Sequence, residues 1–102
     1  MVARDEDGYL VDLTDWTPAI AESLAAEQGI TLTEAHWELI ELIQSFYQRY
    51  EHSPSNRPLA KWIRDHLGPT KAATLYLMGL FPVSPPKQLA LIVGLPRPEH
   101  CL

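Results

Sequence analysis

No segment of the chain constrains the fold more than "TEAHWELIELIQSFYQRYE", residues 33–51. Leu39, Ile43, Phe46 and Tyr50 follow one another at steps of four, three and four, and Trp37, Ile40 and Tyr47 widen the stripe. That spacing places them on one face of an α-helix. Thr33 supplies the N-cap. A helix with so broad an apolar face must be covered along its length, so it is expected to form the spine of a core around which the rest of the chain packs.

The remaining sequence divides into shorter pieces that can do the covering. "TPAIAESLAAEQG" reads as a helix with Thr17 as cap, Pro18 at the first helical position and Gly29 as the stop. Pro54 in "HSPSN" ends the long helix, and "NRPLAKWIRDHLG" starts another, with Asn56 as cap, Leu59, Ile63 and Leu67 inward, and Gly68 as the stop. "TKAATLYLMGLF" after Pro69 is expected to be a fourth helix with Leu75, Met78 and Leu80 inward. "PVSPPKQLALIVG" is expected to be a fifth, capped by Ser84 and ended by Gly94. Ahead of them, Asp7-Gly8 before Tyr9, Leu10 and Val11 reads as a tight turn in a small N-terminal β-hairpin. The expected class is therefore mainly α with a minor β contribution (α+β): about five helices in one small bundle, with no internal repeat. At 102 residues the chain is expected to be a single domain with a modest core.

Charge is unevenly spread. Residues 1–48 carry ten acidic side chains against Arg4 alone, and residues 49–102 carry seven basic against three acidic, so the net −5 divides into −9 and +4. Such asymmetry orients a partner during encounter, or marks two differently solvated faces. No stretch approaches the roughly 20 apolar residues of a membrane span. The first residues do not form a secretory signal, and one thiol cannot close an internal disulfide. The cytoplasm is the expected compartment.

Arg57, Lys61 and Arg64 fall at i, i+4 and i+7 and line one face of their helix, opposite Leu59, Ile63 and Leu67. Three readings are open for this stripe: a solvated face, a docking surface, or the first half of a helix-turn-helix that binds DNA. The last is weakened because "TKAATLYLMGLF" has only Lys71 and two threonines with which to read bases and phosphates. His36, His52, His66 and His100 lack the paired spacing of a zinc site, and neither a Gly-rich phosphate loop nor a nucleophile elbow is present. No metal or cofactor is expected.

The last residues, "GLPRPEHCL", hold the single cysteine, Cys101. Leu95 and Arg97 each precede a proline and are biased toward extended or polyproline geometry. Eight such residues reach roughly 25 Å. The expected division is a globular part, residues 1–94, and a flexible arm, residues 95–102, that carries Cys101. A free thiol is a few per cent thiolate at neutral pH yet a strong nucleophile in that form. His100 and Arg97 favour the thiolate, and the Leu102 carboxylate opposes it. With no second thiol, any redox or sulfur-transfer cycle at Cys101 must finish on a sulfur of another molecule. An incidental exposed cysteine is the competing reading.

The segments "DEDGYLVD", "DWTPAIAESLAAEQGITLTEAHWELI", "FYQRYEHSP", "LFP", "PKQ" and above all "GLPRPEHCL" resemble the DsrC/TusE family of sulfur carriers, related to the gamma subunit of dissimilatory sulfite reductase. The resemblance covers nearly the whole chain. It implies a small orthogonal helical bundle with an N-terminal β-hairpin, a helix-turn-helix-like element and a mobile C-terminal arm. It also implies that Cys101 is the catalytic thiol, carrying sulfur as a persulfide. In the family's redox branch a second cysteine stands eleven residues before this one; here that position is Ala90. The chain thus resembles the single-cysteine relay branch, which implies a TusBCD-type sulfur donor and an acceptor of the tRNA 2-thiouridylase type. It implies neither direct strong nucleic-acid binding nor membrane attachment. Arg57, Lys61, Arg64 and Arg97 are the candidate docking charges. The alternatives are a DsrC-like protein of sulfur oxidation and a helix-turn-helix DNA-binding regulator.

Overall fold

A computed structural model describes residues 2–98. After a one-turn 3-10 helix, Leu13–Asp15, come six α-helices: α1 (Pro18–Glu27), α2 (Glu34–Tyr50), α3 (Asn56–Leu67), α4 (Pro69–Ala72), α5 (Thr74–Leu80) and α6 (Pro85–Val93). Their starts follow local chemistry. The Thr17 hydroxyl accepts from the backbone N–H of Ile20 ahead of Pro18 in α1, and Pro85 opens α6 after Ser84. At α3 the cap is Ser55, and Asn56, expected as the cap, is the first helical residue.

The centre of the bundle is α6 rather than α2. Seven of its nine residues are buried, and it packs against α1, α2, α3 and α5. A helix apolar on nearly every side has to be surrounded. On α2 the stripe Leu39, Ile40, Ile43 and Phe46 faces inward, while Tyr50, expected to continue it, is 46% exposed. α3 is fixed to α2 by Trp62, whose Nε1–H donates to the Leu42 carbonyl at 3.0 Å and whose ring meets Phe46 edge-on.

Two expectations change. The fourth helix is not continuous: Ala73 is extended (φ −67°, ψ 141°) and separates α4 from α5. The break resets the helical phase, so Leu77 is the buried residue of α5. Leu75 and Met78, expected inward, are 89% and 37% exposed, and Leu80 is half-buried against the core. At the N-terminus, one antiparallel bridge, Arg4 with Leu10, stands among the described residues where a hairpin is expected. The Asp5 carboxylate accepts from the N–H groups of Asp7 and Tyr9 at 2.9 and 3.0 Å. Those donors are therefore spent on a compact Asx-type turn.

Candidate functional site

Cys101, the expected sulfur-bearing residue, lies outside the described residues. What the structure describes is the seat from which its segment starts. α6 ends at Gly94 in the left-handed conformation, φ 76°. Three of the last four carbonyls of α6 are engaged: Leu95 N–H donates to Ala90 at 2.9 Å, Gly94 N–H to Leu91 at 3.2 Å, and the Trp16 indole N–H to Ile92 at 2.8 Å. A helix C-terminus leaves carbonyls without intrahelical partners, and here two local N–H groups and one distant indole serve those of Ala90, Leu91 and Ile92.

The next four residues are held against the body, with Leu95 and Pro98 buried and Pro96 and Arg97 exposed. Leu95 is 4% exposed and belongs to the core. The Ser53 hydroxyl, itself buried, donates to the Pro96 carbonyl. Arg97 donates to the Asp7 carboxylate at 2.8 Å, and Pro98 is buried. Ser53 comes from the loop between α2 and α3, and Asp7 from the N-terminal turn. The seat thus draws on the middle of the chain and on its N-terminal turn.

The turn "DGYL" builds the other wall. Leu10 and Trp16 press on Gly94 so closely that a Cβ there would lie 2.8 Å from Leu10 Cδ1 and 3.0 Å from Trp16 Cδ1. The Tyr9 hydroxyl donates to the Lys87 carbonyl of α6 at 3.3 Å. Arg4 donates to the Gly8 carbonyl at 2.9 Å and forms a two-pronged pair with Glu27 at 2.8 and 2.9 Å, tying the turn to α1. The guanidinium holds the Glu27 carboxyl below its ordinary range. Gln88, buried one helical turn after Ser84, accepts from the N–H groups of Val83 and Ser84 and so fixes the start of α6.

The "HWE" segment is a second clamp. His36 is buried, and its Nδ1 accepts from the Thr33 N–H at 3.1 Å, which leaves the proton on Nε2 to donate to the Leu80 carbonyl at 3.0 Å. The ring also meets Phe81 edge-on. Glu38 pairs with Lys71 at 2.7 Å and raises the lysine's pKa. The start of α2 is thereby joined to both α4 and α5.

Of the candidate docking charges, Arg57, Lys61 and Arg64 lie exposed on α3. Lys61 pairs with Asp65 at 2.8 Å and holds that carboxyl below its usual range. Arg97 stands apart from this stripe, on Asp7. The DNA-reading alternative loses its second helix: α5 is seven residues, "TLYLMGL", with no basic or amide side chain. Among the described residues no helix is long and apolar enough to cross a membrane. The roles of Ser53, Asp7 and Trp16 lie in long-range contacts, and only the turn signal at Asp7-Gly8 and the stop at Gly94 point toward the seat in sequence.

The family model described as "DsrC like protein" matches residues 1–102. The sulfurtransferase TusE of Yersinia pseudotuberculosis is 43% identical over 102 residues, covering 100% of this chain and 94% of that protein. The sulfurtransferase TusE of Photorhabdus laumondii is 45% identical over 101 residues, covering 99% and 91%. Among solved structures, DsrC of Allochromatium vinosum superposes with a TM-score of 0.88 at 40% identity, covering 99% of this chain and 90% of that one. The oxidised gamma subunit of dissimilatory sulfite reductase from Archaeoglobus fulgidus superposes with a TM-score of 0.82 at 35% identity, covering 99% and 92%. With a match of this length in both sequence and fold, the chain belongs to the family of DsrC-like proteins.

Proposed function

We propose that this chain is a sulfur-relay carrier that accepts a sulfur atom on Cys101 and hands it to an acceptor. The observation that carries the reading is that a chain similar over its full length to sulfurtransferases named TusE has one thiol, Cys101, three residues beyond the packed Pro98. The step balances without an external oxidant. The Cys101 thiolate attacks the outer sulfur of a donor cysteine persulfide, that S–S bond breaks, and the donor leaves as thiolate while Cys101 becomes the persulfide. Delivery is the same exchange run toward the acceptor, and the proton lost on ionisation of Cys101 is returned to the freed donor sulfur.

A single thiol limits what the carrier can do. Ala90, which by resemblance occupies the position of the redox branch's second cysteine, is fully buried in α6. Cys101 has no thiol of its own chain with which to form a disulfide, so its sulfur leaves only to another molecule. The donor is of the TusBCD type and the acceptor a tRNA 2-thiouridylase-type enzyme, working in the cytoplasm. The N-terminal turn completes the hairpin of the family fold, and residues beyond the packed seat act as the delivery arm.

The test is to incubate the protein with a cysteine desulfurase, cysteine and the relay donor, and to weigh the intact chain. The expected result is the added mass of one sulfur on Cys101, removed by a reductant and absent from Cys101→Ser, whose urea midpoint stays at the wild-type value. An unloaded wild-type Cys101 in the presence of a persulfidated donor overturns the reading.

A further inference from the structure

We propose that the cavity between the N-terminal turn, the end of α1 and the first turns of α6 binds a phosphate group that carries a proton. The cavity has a volume of about 290 Å³, and its charged lining is Asp7, Lys87 and Arg97, two cations against one carboxylate. Its floor is one face of α6 and its cap, where Ser84, Lys87, Gln88 and Leu91 stand at i, i+3, i+4 and i+7. Tyr9 joins the turn to that floor through the Lys87 carbonyl.

The side chains around the cavity offer more donors than the chain uses. Lys87 is half-buried, and among the described residues its ammonium has no ion pair. Arg97 spends one N–H on Asp7, at 2.8 Å, and keeps the other donors of its guanidinium. Gln88 is 4% exposed, and its Oε1 is taken by the N–H groups of Val83 and Ser84. That leaves its amide nitrogen with one long bond, 3.4 Å to Gln28, and a second N–H to give. The Ser84 hydroxyl makes no capping bond. An anion with several acceptor oxygens satisfies such a set, and its contacts with the two cations are of the stronger, charge-assisted kind.

Asp7 decides which anion. Arg97 meets its Oδ2, and the other carboxylate oxygen remains as an acceptor at the cavity wall. Sulfate and carboxylates have no O–H at neutral pH and meet that oxygen only as like charge. Inorganic phosphate keeps an O–H there, which donates to Asp7 while its remaining oxygens accept from Lys87 and Arg97.

The experiment titrates the isotope-labelled full chain at neutral pH with inorganic phosphate, methyl phosphate, sulfate and acetate, the ionic strength being held constant with chloride, and follows the amide signals by NMR. The expected result is a saturable shift centred on residues 7–9, 84–91 and 97, with phosphate bound about fivefold or more above sulfate and acetate. Lys87→Met and Arg97→Met are each expected to weaken phosphate about tenfold, and Arg57→Met, a cation outside the cavity, to leave it unchanged. Asp7→Asn is expected to bring sulfate level with phosphate, a loss of selectivity that a merely structural Asp7 does not produce. Inorganic phosphate bound above methyl phosphate identifies the free ion, and the reverse order a phosphate ester; both orders support the site. The proposal is overturned by the absence of a saturable shift at these residues, by sulfate or acetate matching phosphate in wild type, or by an equal loss in Arg57→Met. Phosphate binding that emerges only in Glu99→Gln assigns the two cations to the chain's own carboxylate and overturns it as well.

Discussion

Gly94 is the residue on which the tail's direction depends, and two independent constraints meet there. Its φ of 76° lies in the left-handed region, which costs a side-chain-bearing residue about 1–2 kcal/mol. Leu10 and Trp16 also occupy the space a Cβ needs, and overpacking of that kind costs about 1–3 kcal/mol. Gly94→Ala is expected to lower stability by about 2–4 kcal/mol, read as a fall in urea midpoint with an unchanged slope. A glycine variant that only terminates a helix, such as Gly29→Ala with nothing near its Cβ, is expected to lose less. The glycine was legible in sequence because helices commonly stop at one. Trp16 was not, since the carbonyl it serves is 76 positions away, and a distance of that kind leaves no local pattern.

At the scale of elements, what local chemistry dictates was readable and what depends on neighbours was not. The starts of α1 and α6 and the span of α2 follow from caps, prolines and periodicity, and the structure keeps them. The 69–81 stretch shows the opposite case. Its apolar residues are dense enough to support more than one helical phase, and the choice is made by contacts from elsewhere: Lys71 pairs with Glu38 on one side of Ala73, and the Leu80 carbonyl accepts from His36 on the other. The N-terminal turn is likewise fixed by a distant partner, through Arg4 and Glu27. That pair has a pH signature. The folded carboxyl of Glu27 titrates below its ordinary 4.5 because Arg4 hydrogen-bonds it. Its contribution is therefore complete above that value and is lost as pH falls through the lower, folded one. Glu27→Gln is expected to unfold at less urea than wild type at neutral pH, and the two midpoints are expected to converge in acid, once the folded Glu27 carboxyl is protonated. Because the pair is exposed the difference is small, so its disappearance in acid is the measurement that identifies it.

For the molecule as a whole, the question is where the packed body ends. The sequence places that boundary after Gly94, since "LPRP" carries no element and its prolines favour an extended path. Extended is not the same as detached: the backbone of 95–98 runs without a helix, yet Leu95 fills the core, Ser53 holds Pro96, and Arg97 reaches the acidic N-terminal turn. Arg97 also brings a charge from the basic half of the chain onto the acidic half. Two truncations separate these possibilities. Removing residues 95–102 takes away the buried Leu95 and both anchors, and is expected to cost about 2 kcal/mol or more, the scale of burying one leucine side chain. Removing only 99–102 spares all three contacts and is expected to leave the urea midpoint within error of wild type, while abolishing sulfur acceptance with Cys101. If the longer truncation proved as stable as the shorter, residues 95–98 would contribute nothing to the fold and the tether would start at Gly94. If instead the costs differ as expected, the anchored length sets the reach of Cys101, and loosening it through Asp7 or Ser53 becomes the way to extend that reach without touching the thiol.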